Sequence, residues 1–144
     1  MLTDGFGRKI NYLRVSVTDL CNLRCQYCMP NSGLPKFAHQ DVLRYEELTS
    51  IIQTLIGLGI DKVRITGGEP LVRKGIIELI KNIGGFVGLQ DFALTTNGVL
   101  LARYAQALKE AGIKRLNISL DTLDPEKYQR LTGQDQLPAV LAGL

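Results

Sequence analysis

The chain has 144 residues, and its 17 Lys and Arg against 14 Asp and Glu give a formal net charge of +3. With 45% hydrophobic and 22% charged residues, it has the composition of a globular protein, which excludes disordered and fibrous classes. The small charge and the lack of a Lys/Arg block argue against nucleic-acid binding, and no apolar run reaches the roughly 18 residues of a membrane span. We expect one domain without a secretory signal, located in the cytoplasm.

Strand and helix signals alternate along the chain. We expect strands at 12–18, 62–66, 91–95 and 115–120, and helices within 41–58, at 76–83 and 100–111, for two turns from 125, and from 138 onward. Asp124 and Pro125 are typical of a helix start, and Gly112 is typical of a helix end. In the first helix, the predicted buried stripe is Leu48, Ile51, Ile52 and Leu55. Four successive βα units predict a parallel sheet covered by helices.

The predicted strands alternate apolar and polar residues. In the first strand Leu13, Val15 and Val17 alternate with Arg14, Ser16 and Thr18, and in the fourth Leu116, Ile118 and Leu120 alternate with polar residues. Parallel strands covered on both faces are usually apolar throughout, so a polar face predicts a curved sheet from a (β/α) barrel. Arg14 and Arg64 on that face indicate an anionic ligand, although pairing with internal carboxylates or a place at open strand ends remains an alternative.

Three cysteines follow the first strand within eight residues, as Cys21, Cys25 and Cys28 in a C-x3-C-x2-C pattern. An odd number of clustered thiols cannot form a closed disulfide framework, and thiolates bind zinc, copper(I) or iron–sulfur groups. Three thiolates leave one iron of a four-iron cubane without a protein ligand, and a substrate or cofactor can coordinate there. A zinc site completed by His39 or water, and three thiols without a metal role, remain alternatives.

Small and polar residues follow the other three strands, as Gly67-Gly68-Glu69-Pro70, Thr95-Thr96-Asn97-Gly98 and residues 117–121. Each segment alone is more typical of an ordinary turn than of a site, but paired glycines also let a ligand approach the backbone closely. Because the carboxyl ends of consecutive parallel strands meet at one edge of the sheet, we expect these segments and the cysteines to share one pocket.

These motifs together resemble the radical S-adenosylmethionine (SAM) superfamily, in which the same cysteine spacing, with an aromatic residue such as Tyr27 before the last cysteine, precedes a Gly-Gly-Glu segment. More closely, residues 5–30, 63–73, 95–98 and 117–121 resemble the MoaA family of GTP 3′,8-cyclases. The resemblance covers essentially the whole chain. It implies an α/β fold, namely the N-terminal part of a radical SAM partial (β/α) barrel with four βα units and a curved parallel sheet, incomplete at the C-terminus.

The resemblance also implies site residues and a reaction. A [4Fe-4S] cluster is expected on Cys21, Cys25 and Cys28, SAM on Tyr27 (through its backbone), Gly68 and Ser119, and GTP on Arg14, Arg64 and Thr95. A radical SAM lyase of this family performs the first step of molybdopterin (molybdenum cofactor) biosynthesis. It converts GTP to (8S)-3′,8-cyclo-7,8-dihydroguanosine 5′-triphosphate through a 5′-deoxyadenosyl radical. The implied partners are an electron donor such as a flavodoxin or ferredoxin and, in the full-length form, a second copy of the chain, with no nucleic acid and no membrane.

One departure from the family is the length. Complete members are roughly twice as long and hold a second three-cysteine [4Fe-4S] cluster in their C-terminal part, whereas no cysteine follows Cys28 here. We therefore expect residues 1–144 to be a truncated radical SAM core domain that does not cyclise GTP by itself. Another radical SAM enzyme with a different substrate, and a small zinc-binding module, remain alternative functions.

Overall fold

A computed structural model describes residues 2–28 and 41–144. Four strands form one parallel sheet in the order β1-β2-β3-β4: β1 (Tyr12–Ser16), β2 (Lys62–Thr66), β3 (Asp91–Thr96) and β4 (Arg115–Ile118). Each strand therefore lies beside the strand that precedes it in the sequence. In a doubly wound sheet the strand order reverses at a switch point, and no reversal occurs among these strands. The prediction of a sheet of the barrel type, built from four βα units, is confirmed.

Five α-helices connect and follow the strands: α1 (Tyr45–Gly57), α2 (Ile76–Gly84), α3 (Leu101–Glu110), α4 (Pro125–Thr132) and α5 (Leu137–Gly143). A short 3₁₀ turn at Pro70–Val72 leads from β2 towards α2. All five lie close to their predicted positions. In the part of the chain that the structure describes, no helix has the length and apolar character needed to cross a membrane.

Local chemistry accounts for several helix ends. At the start of α1 the Glu47 side chain accepts a hydrogen bond from the backbone N–H of Arg44 at 2.7 Å. At the start of α4 the Asp124 side chain accepts from the backbone N–H of Lys127 at 3.0 Å, and Pro125 occupies the first turn. After α3 the chain turns at Gly112, whose φ of 97° favours glycine. These ends are therefore encoded within a few residues of each helix.

The main core lies between the apolar face of the sheet and helices α1, α2 and α3. Helix α2 contributes four buried residues, Ile76, Leu79, Ile80 and Ile83. In α1 the prediction is wrong at Ile51, which is 46% exposed, while Leu48 and Ile52 are buried. Tyr45 and Ile56 pack against the core instead, so the side of the helix that faces the core does not include Ile51.

The opposite face of the sheet is polar, as the alternation predicted. Arg14, Arg64, Ala93 and Arg115 lie side by side in one row across the four strands, and Thr95 lies beside Asn117 one step nearer the carboxyl ends. The fourth strand departs from the prediction, because Leu116 is 39% exposed. In this sheet β4 has a neighbouring strand on one side only, so its apolar side chains are incompletely covered.

The first and fourth strands end two residues earlier than predicted, at Ser16 and Ile118. Each ladder continues for one more hydrogen bond, from Val17 N to Thr66 O (3.0 Å) and from Ser119 N to Thr96 O (2.9 Å). Beyond these bonds the chain leaves the sheet plane and forms the rim of the site. The loops that carry the predicted functional residues thus begin directly at the carboxyl ends of the strands.

Candidate functional site

A cavity of about 260 Å³ opens at the carboxyl ends of the four strands. All the predicted site residues except Arg64 line it: Cys21, Cys25, Cys28, Tyr27, Gly68, Ser119, Arg14 and Thr95. Its volume is slightly below the roughly 300 to 1,000 Å³ that is typical of small-molecule sites. The structure thus brings together the loop after β1 that carries the cysteines (residues 17–28, the cysteine loop), the Gly-Gly segment and the polar segments after β3 and β4. The order of the strands predicted this.

Arg64 lies outside this lining, beside Arg14 in the parallel pairing of β1 and β2. Its guanidinium is 5.6 Å from the centre of the Tyr12 ring, and its Nε atom is buried without a hydrogen-bond partner in residues 2–28 and 41–144. Within the same ranges, neither Arg14 nor Arg64 forms an ion pair. A buried guanidinium nitrogen without a partner is the situation that an anionic ligand relieves.

The arginine of this row that does pair with an internal carboxylate is Arg115. Its Nε donates to Asp91 Oδ1 at 3.0 Å, and this contact holds the pKa of Asp91 below its usual value. The carboxylate pairing that the sequence left open for Arg14 and Arg64 is therefore seen at a third arginine, which the sequence analysis did not consider.

The Gly-Gly segment holds the cysteine loop by direct backbone contact. Gly68 N donates to Thr18 O at 2.7 Å, and Glu69 N donates to Leu20 O at 2.8 Å. A Cβ atom on Gly68 would lie 2.7 Å from Asp19 O, closer than side chains tolerate. The sequence analysis took the paired glycines as a place where a ligand approaches the backbone. At Gly68 the closest approach comes from the protein's own loop, although the residue still lines the cavity.

The end of α4 holds the other side of the cysteine loop. Arg24 N donates to Thr132 O at 2.8 Å, and Gln26 N donates to Leu131 O at 2.9 Å. These bonds satisfy carbonyl groups that a helix leaves free at its C-terminus. The cysteines are thus fixed between β2 and α4, two elements that are distant in the sequence. No local pattern indicated the contact with α4.

The thiols lie in a partly buried environment. Cys21 Sγ accepts from Leu23 N at 3.4 Å and lies 3.8 Å from Asn97 Nδ2, which also donates to Asn22 Oδ1 at 2.8 Å. Burial raises the pKa of the Cys21 and Cys25 thiols, so both are protonated at neutral pH in the absence of a metal. Because metals bind the thiolate, metal binding at this loop releases protons.

Glu69 is a buried carboxyl group that the sequence analysis did not assign a role. It is 1% exposed and accepts hydrogen bonds from Leu71 N (3.1 Å), Thr96 Oγ1 (2.8 Å) and Asn97 N (2.7 Å). Burial raises the pKa of this carboxyl. The side chain ties the end of β2 to the end of β3 and so fixes Asn97 beside Cys21. The only signal in the sequence was the place of Glu69 directly after the two glycines.

Two tyrosines lie at the β4 side of the cavity. The hydroxyl of Tyr27 donates to Asp121 Oδ2 at 2.7 Å, which connects the cysteine loop to the end of β4 and raises the pKa of Tyr27. Tyr128 of α4 also lines the cavity and is 2% exposed. The sequence analysis missed Tyr128, because the Asp-Pro signal of α4 predicts where the helix begins and not which of its side chains reach the cavity.

The residues present fit an iron–sulfur cluster. Three thiols around one cavity are soft donors, and in a cubane each thiolate binds its own iron, so the sulfur atoms need not converge on a single point. Among the described residues, no group of three His, Cys, Asp or Glu side chains is placed to hold a single metal ion. His39, considered as a fourth zinc ligand, lies outside the described residues.

Comparison with known proteins agrees with this assignment. The family model of the Radical SAM superfamily matches residues 15–144. A GTP 3′,8-cyclase from Alkaliphilus oremlandii is 59% identical over 143 residues, which are 99% of this chain and 45% of the relative. A GTP 3′,8-cyclase from Peptoclostridium acidaminophilum is 58% identical over 144 residues, which are 100% of this chain and 44% of the relative. The chain thus spans slightly less than half the length of these relatives.

Solved structures show the same fold at low sequence identity. Streptococcus suis SuiB bound to precursor peptide SuiA superimposes with a TM-score of 0.68 at 21% identity, over 87% of this chain and 27% of SuiB. BtrN in complex with AdoMet and 2-DOIA superimposes with a TM-score of 0.60 at 23% identity, over 77% of this chain and 46% of BtrN. The superfamily match extends over most of the chain, and three cysteines line the cavity at the carboxyl ends of the strands; the chain belongs to the radical SAM superfamily.

Proposed function

We propose that this chain is the cluster- and SAM-binding part of a GTP 3′,8-cyclase, the enzyme of the first step of molybdopterin biosynthesis. The observation that carries the proposal is that the three thiols, the Gly-Gly segment and Arg14 line a single cavity. The relatives at 58% and 59% identity are named GTP 3′,8-cyclase, which supports GTP as the substrate. Because those relatives are more than twice as long, the complete cyclisation is proposed for the whole protein and not for these residues alone.

Each residue group has a distinct role in this proposal. The thiolates of Cys21, Cys25 and Cys28 hold the [4Fe-4S] cluster, and Tyr27 (through its backbone), Gly68 and Ser119 hold SAM. When bound, the cluster and SAM supply the electron and the radical that start the cyclisation. The protein orients the reactants and keeps water away from them. Four backbone hydrogen bonds keep the cysteine loop in place for this task, two with the end of α4 and two with the Gly-Gly segment.

The polar face of the sheet supplies the nucleotide site. Arg14 lines the cavity, Arg64 lies beside it with an unpartnered Nε, and Thr95 projects from β3 at the next step. Guanidinium groups bind phosphate oxygens through several parallel hydrogen bonds, so two neighbouring arginines suit a triphosphate. We therefore assign GTP to this face, with its phosphates near the two arginines.

The remaining partners also belong to the proposal. Cluster chemistry requires one electron from outside, which a flavodoxin or ferredoxin supplies. The whole protein holds a second [4Fe-4S] cluster in its C-terminal part and forms a homodimer. We place the protein in the cytoplasm, where thiols stay reduced and bind metals rather than form disulfides.

Anaerobic reconstitution with iron and sulfide tests the cluster. We expect about four irons and four sulfides for each chain, with an electron paramagnetic resonance signal that changes when SAM is added. Cys25→Ala removes the signal, whereas Ser50→Ala, a similarly small truncation on the exposed side of α1, leaves it unchanged. Zinc without acid-labile sulfide would establish the zinc-binding module instead.

Nucleotide binding tests the substrate. The double variant Arg14→Gln and Arg64→Gln weakens GTP binding at least tenfold, because hydrogen bonds to charged groups contribute about 1.5 to 3 kcal/mol each. SAM binding stays intact in the same variant. Arg103→Gln, on the exposed side of α3, serves as the control for loss of a guanidinium. A protein that binds the cluster and SAM but shows no affinity for GTP would be a radical SAM enzyme with another substrate.

A further inference from the structure

Tyr128 presents a buried hydroxyl group that lacks a hydrogen-bond partner in the described parts of the chain. Its side chain is 2% exposed, and it packs against Leu137 and Val140 of α5 in a small second core. The residue also lines the cavity that contains the three thiols. Buried polar groups are nearly always hydrogen-bonded, because an unpartnered one loses its bonds to water without replacement. The hydroxyl of Tyr128 therefore lacks an acceptor among residues 2–28 and 41–144 as they stand without a bound cluster.

Two polar residues that line the same cavity, Thr132 and Asp121, already form other hydrogen bonds. Thr132 directs its hydroxyl to the backbone carbonyl groups of Tyr128 (2.8 Å) and Gln134 (3.1 Å). Asp121 accepts the hydroxyl of Tyr27 at 2.7 Å and forms no hydrogen bond with Tyr128. Neither residue thus serves as the acceptor for the Tyr128 proton.

The three thiols of the cysteine loop line the same cavity as Tyr128. Burial raises the pKa of Tyr128 and, next, so does Cys25, whereas Thr132 lowers it and Asp121 and Cys21 raise it. A neutral thiol is a weak hydrogen-bond acceptor. A thiolate bound to iron carries negative charge and accepts a stronger, charge-assisted bond.

We propose that the Tyr128 hydroxyl donates a hydrogen bond to a sulfur of the cluster, either the Cys25 thiolate or an adjacent sulfide. The inference rests on the proposed function, since it needs the cluster. Hydrogen bonds to cluster sulfurs stabilise the more negatively charged, reduced state and raise the reduction potential. Tyr128 thereby makes the cluster easier to reduce, the step on which SAM cleavage depends.

The test compares Tyr128→Phe with Tyr104→Phe, which removes a hydroxyl from a half-buried ring on α3 outside the cavity. Both proteins are reconstituted, and the reduction potential of the cluster is measured without SAM. We expect a more negative potential in Tyr128→Phe and no change in Tyr104→Phe. Denaturation of the metal-free proteins provides a second readout. There Tyr128→Phe unfolds at a higher denaturant concentration than the wild type, because it removes an unpartnered buried hydroxyl.

The outcomes separate this inference from the proposed function. A fully loaded Tyr128→Phe protein with the wild-type potential refutes the bond to sulfur. If the potential is unchanged and SAM binds about tenfold more weakly, the hydroxyl serves the carboxylate of SAM, and the sulfur acceptor is equally refuted. A wild-type protein that takes up no iron refutes the cluster itself. Only a potential shift confined to Tyr128→Phe supports the inference.

Discussion

Replacing Gly68 with alanine tests whether the Gly-Gly segment holds the cysteine loop. The added Cβ would lie 2.7 Å from Asp19 O and 2.8 Å from the carbonyl carbon of Leu20, and closer still to Leu20 O. Ordinary contacts between carbon and oxygen begin at about 3.3 Å. All three atoms belong to the backbone, so no side chain can rotate away to make room. The cysteine loop and the end of β2 must therefore separate.

The cost follows from this separation. Overpacking a close contact costs about 1 to 3 kcal/mol. The hydrogen bonds from Gly68 N to Thr18 O and from Glu69 N to Leu20 O would also be lost or weakened, at about 0.5 to 1.5 kcal/mol each. Together these effects lower the free energy of unfolding by about 2 to 6 kcal/mol. That is a large share of the roughly 5 to 15 kcal/mol that keep a domain folded.

Urea unfolding of Gly68→Ala and Gly57→Ala provides the measurement. Gly57 is the last residue of α1, and a Cβ there meets no atom within 4 Å, so the same added methyl group should leave stability unchanged or raise it by up to about 1 kcal/mol. We also expect Gly68→Ala to retain less iron after reconstitution. Equal unfolding midpoints for the two variants would refute the conclusion that close packing at Gly68 holds the cysteine loop.

Three further predictions concern single side chains. Glu69→Gln replaces an acceptor oxygen with a donor and so leaves the N–H of Asn97 or a neighbouring donor unsatisfied. We expect the free energy of unfolding to fall by about 1 to 3 kcal/mol. An unchanged urea midpoint would contradict the conclusion that Glu69 connects β2 to β3. Arg115→Gln lets the pKa of Asp91 rise towards 3.8 in an NMR titration. A lowered carboxyl pKa stabilises the fold above pH 3.8, and this contribution is lost as the pH falls through the folded pKa. The difference in unfolding free energy between wild type and variant should therefore vanish in acid and stay under about 1 kcal/mol at neutral pH. Asp124→Ala removes the cap of α4 and costs about 1 kcal/mol in thermal unfolding, and a wild-type melting temperature would show that the cap contributes nothing.

Much of the fold could be predicted from the sequence because its signals are local. The order of strands and helices follows from periodicity, and the caps at Asp124 and Gly112 depend only on residues within the same turn. The alternation of polar and apolar residues correctly indicated a sheet with one polar face. Where the signal depended on packing, as at Ile51 of α1, the prediction was wrong, because the buried side of a helix is decided by what lies against it.

The location of the candidate site could also be predicted, whereas its internal contacts could not. Strand order places the carboxyl ends of β1 to β4 together, which is why the cysteines, Gly68 and Ser119 line one cavity. The roles proposed for the individual residues in binding the cluster, SAM and GTP remain predictions. The contacts between Arg24 and Thr132 join segments far apart in the sequence, and no spacing rule indicates them.

The amino-acid sequence by itself determined the soft donor set, the order of the βα units and the polar face, because each is a property of residue type or of short-range periodicity. Only the tertiary structure decided that the loop after β1 fills the space beside Gly68, that Arg115 pairs with Asp91, and that Tyr128 lines the same cavity as the thiols. These features depend on distances between atoms from different elements, and such distances exist only once the elements have packed together.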